Sequence, residues 1–368
     1  MKTTSALIIG EGHLANRVTK LLETRGCATT HLPEYNNEAI HTFTRIFLLD
    51  DKDEYNLQTL ITLISLKKDI RITTSLFNEN IAPHIRAVHP HIEILNPAKI
   101  AAPSFVDALY TSLEHKLTYQ ATPQENISHN TSDNLITILI GSFIAVIVAA
   151  TIYFHIADTL PWVDALYFVI ATVTTVGYGD INLLNSSTFS KIIDILLLLS
   201  SMFFVWTIFS LTINHLIKSR ERLALGRKTY PYTNHVILCG LGRLGYFIAL
   251  ELIARNEKII VIEKNESSAY AEDIRNRGIP VYVGDARMPQ VLKDVAVSRS
   301  KAFMSVINND YTNLEIGLNA RSFKPGLRLI LRIFNKETVQ KIKESLDIHL
   351  ALSMSAVADE VFADTLNK

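Results

Sequence analysis

Thr174-Thr175-Val176-Gly177-Tyr178-Gly179-Asp180 stands between two apolar runs, residues 135–154 and 195–213, and neither run contains a charged side chain. About twenty helical residues at ~1.5 Å each reach ~30 Å, the thickness of a bilayer core. Two such runs around one short loop read as a pair of membrane spans. A buried helix of a soluble domain does not need that arrangement. Within the loop, Gly177 and Gly179 give access to backbone conformations that a Cβ penalises, and Thr175 adds a hydroxyl at one end. The second helix is expected to start near Thr188 and to run past Leu216. Ahead of the loop, Leu160-Pro161-Trp162 opens an apolar stretch to Thr174, a short helix with Pro161 in its first turn and Asp158 or Thr159 as its cap.

Thr175-Val176-Gly177-Tyr178-Gly179 matches the potassium-channel filter residue for residue. With the flanking runs it resembles the two-helix pore of the potassium-channel family over residues 135–218. The resemblance implies that these five residues bind K+ through backbone carbonyls that replace its water shell. It also implies four copies of the chain around one axis, a homotetramer embedded in membrane lipid. One departure from the family is plain in the sequence. Many relatives carry a glycine hinge midway along the inner helix, but residues 186–225 contain no glycine, so the position of the gate stays open.

Orientation follows from charge. Residues 155–190 hold no Lys or Arg but carry Asp158, Asp164 and Asp180, whereas Lys218, Arg220, Arg222, Arg227 and Lys228 follow the second run. The positive-inside rule sets the loop outside and both termini in the cytoplasm, as expected of a multi-pass protein of the plasma (inner) membrane. Arginines spaced as in a voltage-sensing helix are missing. The 368 residues balance 36 basic against 36 acidic side chains, which gives a nucleic-acid partner no support. Mean hydropathy is +0.19, too low for a polytopic transporter, so a small membrane core with larger soluble parts is expected. Cys27 and Cys239 sit in apolar strand-like runs without a CxxC spacing, as buried structural thiols do.

Those soluble parts each begin with a strand and a glycine turn. Residues 236–239 lead into Gly240-Leu241-Gly242-Arg243-Leu244-Gly245, then a helix over residues 246–255 and a strand that ends in Glu263. A GxGxxG turn followed about twenty residues on by an acid is the dinucleotide fingerprint in its proper context. A further strand ends in Gly284-Asp285. Residues 234–368 thus resemble the regulator-of-K+-conductance (RCK) or TrkA N-terminal domain, without the smaller lobe that often follows it. The resemblance assigns the phosphates to the helix N-terminus and Arg243, the ribose to Glu263 and the base to Asp285. The implied ligand is NAD(H) or ADP/ATP, with Glu263 disfavouring a 2′-phosphate.

Residues 1–110 read as a worn copy of the same fold. At an offset of 257, Asn56-Leu57 matches Asn313-Leu314 and Phe77-Asn78 matches Phe334-Asn335. Ile85, Leu95, Ala101, Phe105 and Asp107 likewise match Ile342, Leu352, Ala358, Phe362 and Asp364. Gly10 and Gly12 match Gly240 and Gly242 at an offset of 230, so the first copy is 27 residues shorter. By position the missing piece carries the Gly-Asp loop. The second strand of this copy ends in His31-Leu32-Pro33 rather than an acid, and His13 stands for Arg243. The first copy is therefore expected to be structural.

The fold class expected is a membrane α-helical pore flanked by two α/β Rossmann-like domains, the N-terminal one truncated. A polar linker spans residues 111–134, where the Asn-x-Ser matches at Asn126 and Asn130 fall on the cytoplasmic side, and a basic linker spans residues 219–233. The function expected is a K+ channel gated by nucleotide at eight RCK domains in a ring. RCK domains that only direct assembly or sense a divalent cation are the alternative. A membrane-tethered NAD-dependent oxidoreductase is a third reading, but no segment is left over for its catalytic domain.

Overall fold

A computed structural model describes residues 5–36, 43, 45–66, 70–111, 133–334 and 350–367. The residues between 111 and 133, with Asn126 and Asn130, lie outside the described set, as do Asn335 and Ile342 of the repeat. The chain divides into two compact units: Met1–Gln124 together with Leu225–Lys368, and Glu125–Ala224.

In the first unit the N-terminal half alternates strands and helices: β1 (Ser5–Ile9), α1 (His13–Thr24), β2 (Ala28–Leu32), β3 (Arg45–Leu48), α2 (Asp53–Leu66), β4 (Arg71–Ser75), α3 (Ala82–Val88), β5 (Ile92–Leu95) and α4 (Pro97–Asp107). Its strands are parallel in the order β2-β1-β3-β4-β5. Three of them, β1, β3 and β4, are buried along nearly their whole length, which is why they read as apolar or β-branched runs and not as alternations.

The membrane-type unit contains α5 (Asp133–Ala157), α6 (Trp162–Val173) and α7 (Thr188–Ala224). Helices α5 and α7 include apolar spans, Thr137–Ala157 and Thr188–Asn214, and an apolar 18-residue stretch of each is only 17% and 11% buried within the chain. A soluble protein cannot leave that much contiguous apolar helix in water, so these faces need lipid or further protein. Phe154 of α5, Phe168 and Val169 of α6 and Leu197 of α7 share one core. The Phe154 and Phe168 rings meet edge-on at 5.0 Å. The N-cap of α6 is Pro161, with no side-chain cap; Thr159 instead turns the chain at φ 56°, so the expected cap by Asp158 or Thr159 is corrected. His155 helps fix that turn, with Nδ1 2.7 Å from the Leu160 carbonyl and its ring stacked on Trp162 at 3.9 Å.

The C-terminal half returns to the first unit with β6 (Val236–Cys239), α8 (Arg243–Ala254), β7 (Ile259–Glu263), α9 (Ala269–Asn276), β8 (Val281–Val283), α10 (Pro289–Asp294), β9 (Ala302–Ser305), α11 (Asp310–Phe323), β10 (Arg328–Arg332), β11 (Leu350–Leu352) and α12 (Met354–Asp364). Its parallel sheet runs β11-β10-β9-β6-β7-β8. Taken from either end, this order differs from that of the N-terminal half by one edge strand, β8, and β8 leads into Gly284-Asp285.

The two halves exchange their last helices. Helix α12 gives Ala358, Phe362 and Ala363 to the core around β1 and α1, while α4 gives Ala101, Ala102, Phe105 and Val106 to the core around β6 and α8. Two ion pairs repeat that symmetry: Arg25–Asp364 and Arg255–Asp107, both at 2.7 Å. Asn56 receives the Asp50 N–H and donates to the Asp50 and Ser75 carbonyls; Asn313 does the same with Ile307 and Arg332. Buried amides in one role on both sides anchor the repeat at its 257-residue offset.

Candidate functional site

The filter stretch adopts an alternating backbone. Positive φ recurs at Thr175 (59°), Gly177 (51°) and Gly179 (78°), with Val176 and Tyr178 between them on the ordinary side. Backbones that alternate in this way turn successive N–H groups to one side and successive carbonyls to the other. Thr175 is the only non-glycine of the three, and its N–H is held by the Thr172 carbonyl at 3.0 Å. Val176 and Gly177 both donate to the Ala171 carbonyl, so the end of α6 fixes the start of the stretch. At the other end, the Tyr167 hydroxyl donates to Asp180 at 2.9 Å. Tyr178 and Val176 are largely exposed in the single chain.

In the soluble unit, a cavity of about 890 Å³ gathers Gly240, Gly242, Arg243, Glu263 and Asp285, as the sequence pairs them. Helix α8 begins at Arg243, three residues earlier than expected, because Gly242 is its N-cap. Gly245 is not part of the lining. It lets α8 approach the strand end, for a Cβ there would lie 2.0 Å from the Gly240 carbonyl oxygen. Glu263 is tied to the turn, its carboxylate accepting from Leu241 N at 2.6 Å and from Asn265 N at 2.8 Å. Asp285 is paired with Arg287 at 2.7 Å and Lys264 at 3.1 Å. The Arg287 guanidinium holds the Asp285 carboxyl well below the usual carboxylate range, against the opposing effect of burial. Burial pushes the Cys239 thiol in the wall up to about 12, as befits a free structural cysteine.

Arg243 lines the cavity while its side chain leans on the other half. Its guanidinium crosses to the N-terminal half, where it stacks on Phe77 at 3.7 Å and donates to the Asp51 carbonyl at 2.9 Å. The cross-over is mutual: His13, its counterpart, stacks on Phe334 of the C-terminal half at 4.6 Å. The Asp53 carboxylate caps Phe77 N, and Asp310 caps Phe334 N, so each aromatic is pinned in the same way. The cavity is consequently lined from both halves, with His13, Asp51 and Phe77 opposite Arg332 and Phe334. Arg332 is 8% exposed, its guanidinium lies 4.3 Å from the Phe334 ring, and its Nε has no partner. Burial, reinforced by Arg243, lowers Arg332 to about 10, so it remains charged at neutral pH. Sequence reasoning missed Arg332 and Asp51, although the 257-residue offset already sets them opposite the uncharged Ser75 and Asn308.

Gly10 N donates to the Leu32 carbonyl just as Gly240 N donates to that of Ile262. The next residues, Pro33 and Glu263, are therefore equivalent, and the N-terminal half lacks the acid that braces the second turn. His31 compensates in part, with Nε2 2.9 Å from the Gly10 carbonyl.

A family model described as an ion channel matches residues 141–218, and one described as a TrkA-N domain matches residues 236–354. "Probable potassium channel protein 2" of Methanocaldococcus jannaschii is 28% identical over 220 residues, 58% of this chain and 63% of that protein. "Voltage-gated potassium channel Kch" of Escherichia coli (strain K12) is 27% identical over 209 residues, 55% of this chain and 49% of that protein. The chain thus spans less than two thirds of the length of either relative. The solved GsuK RCK domain is 13% identical with a TM-score of 0.55, covering 100% of this chain and 77% of that one, a likeness of fold. The two curated relatives are both named as potassium channels. The chain thus joins an ion-channel pore segment, flanked by two apolar helices, to a TrkA-N domain.

Proposed function

We propose that four copies of this chain form a K+-selective pore whose opening answers to an adenine nucleotide or NAD held by the C-terminal half. The observation that carries the pore is the alternating backbone of Thr175, Val176, Gly177, Tyr178 and Gly179 between two exposed apolar helices. Backbone oxygens turned to one side replace a hydration shell only when several chains supply them around an axis. The names of the relatives as potassium channel proteins support the same ion. The soluble unit already pairs two Rossmann-like halves, so four chains would bring eight to a cytoplasmic ring. The charge asymmetry around the spans favours an inner-membrane protein with both termini inside.

For the ligand, Gly240 and Gly242 shape the turn, the start of α8 offers N–H groups to phosphate, Glu263 is placed for ribose hydroxyls and Asp285 for the base side. A route to the pore is present in the sequence order. Leu225 and Arg227 follow α7 directly, and both bond to Val283 of β8: Val283 N donates to the Leu225 carbonyl and Arg227 Nε donates to the Val283 carbonyl, each at 2.8 Å. Asp285 is two residues further on. A ligand that holds β8 differently in two states can bias the gate only by its difference in affinity for them. The test of the pore is K+ and Na+ flux into liposomes that contain the full chain. Uptake that prefers K+, and loses the preference on replacing Gly177 or Tyr178, is expected. Equal permeation of both ions by the unaltered protein overturns it.

A further inference from the structure

Several polar features of the interface between the two halves are duplicated, Arg25–Asp364 and Arg255–Asp107 among them, but the two glycine turns differ. In the N-terminal half, a Cβ on Gly12 would lie 2.7 Å from Asp51 Cγ and 2.8 Å from both carboxylate oxygens. The side chain of Asp51 therefore lies directly over the turn at the start of α1. At Gly242 no protein atom lies within 4 Å of the same position, and the space opens into the cavity. The charges are reciprocal. Where the closed turn has Asp51 and Ser75, the open turn has Asn308 and Arg332 at the equivalent positions. One half carries its own anion over a helix start, where N–H groups and the dipole favour it. The other half has a buried guanidinium with an unpartnered Nε and no anion of its own at that point.

The closed turn also displays what a crossing side chain does beside an anion. Arg243 comes over from the C-terminal half, lies on Phe77 and donates to the Asp51 carbonyl. The same symmetry carries His13 over to Phe334, at the edge of the open turn. We propose that a phosphate of the bound ligand sits over Gly242 as the Asp51 carboxylate sits over Gly12, met by Arg332 and by His13 of the N-terminal half. The ligand class is a nucleoside diphosphate or a dinucleotide, whose phosphates supply the charge that Asp51 supplies in the other half. The worn copy is then half of the binding site, and nucleotide binding reports on the packing of the two halves. This rests on the nucleotide reading given above.

The experiment is calorimetry on the full chain in detergent, with ADP and adenosine as ligands. Arg332→Gln is expected to weaken ADP by about tenfold or more, the size of a lost charge-assisted hydrogen bond, and to leave adenosine unchanged. His13→Phe keeps a ring on Phe334 without an N–H, and weakens ADP alone by several-fold; His13→Arg restores it. Glu263→Ala separates the two levels of the argument, because it removes the ribose contact and weakens both ligands. If Glu263→Ala binds both ligands like the parent, or the parent binds no ADP, the nucleotide reading fails and this proposal with it. If Glu263→Ala is weakened while Arg332→Gln and His13→Phe bind ADP like the parent, the nucleotide reading stands and this proposal is wrong.

Discussion

Arg25 holds Asp364 at 2.7 Å, joining the helix that follows the first strand to the last helix of the chain. The pore is thus inserted between two halves of one folded unit, and the chain must return through α12 to complete the core in which it began. Exposed pairs of this kind contribute little by themselves, ~0–1 kcal/mol, so Arg25→Ala should hardly alter unfolding. Phe362 is fully buried in that core. Phe362→Ala should lower stability by ~3–5 kcal/mol, with hydrogen-exchange protection lost first in β1 and β3 of the opposite half. Loss confined to the strands around β6 would show that the helices are not exchanged.

Glycines 242 and 245 should behave oppositely although they sit three residues apart. A Cβ at Gly245 would lie 2.0 Å from the Gly240 carbonyl oxygen, so Gly245→Ala should deform the turn and lower the melting temperature. Gly242 has open space there, so Gly242→Ala should melt like the parent yet bind ADP less well. Thermal scans with and without ADP compare the two directly. Unchanged ADP affinity in Gly242→Ala would place the phosphate elsewhere.

Asp285 sets a pH dependence whose sign is fixed. Its folded carboxyl is held below the ordinary value by Arg287, with Lys264 assisting against burial. A depressed acid contributes stability above its unfolded value of about 4, and that contribution is lost as the pH falls below it. Asp285→Asn should therefore be less stable than the parent at pH 7, with the difference shrinking as the pH drops below about 4. Denaturant titrations across that range give the answer; a difference that grows on acidification contradicts the assignment.

Arg227 offers a test of transmission. Its Nε bond to the Val283 carbonyl ties the residues after α7 to the strand that leads to Asp285. Arg227→Ala should keep ADP affinity within about twofold, since it lies outside the cavity lining, while reducing the change in channel opening that ADP produces. Binding by calorimetry beside single-channel recording separates these effects. An undiminished response would remove this strand from the route.

Much of this was legible in the chain. The filter run, the two charge-free spans and the strand–glycine turn–helix order are local patterns, and local patterns survive in one sequence. The offset between Asn56 and Asn313 predicted a repeat, and both amides hold the same three backbone positions. The exchange of α4 and α12 was not legible, because Phe105 and Phe362 read as core residues of their own halves whichever core they enter. The lean of Arg243 onto Phe77 was not legible for the same reason. Its position in the glycine turn says that it is near phosphate, but which half it leans on depends on how the halves pack. That Asp51 covers Gly12 depends on packing between residues 39 apart, which no local pattern carries.

The central claim is a K+ pore under nucleotide control, and single-channel recording in planar bilayers under a K+ gradient with Na+ opposite tests it most directly. ADP, ATP, NAD and NADH are each applied to one face at a time, to the parent and to Glu263→Ala. The account predicts currents that reverse near the K+ equilibrium potential, with an open probability that one of these nucleotides changes from a single face and that Glu263→Ala no longer follows. Currents that reverse near the Na+ potential, or a parent channel indifferent to all four nucleotides on both faces, would contradict it.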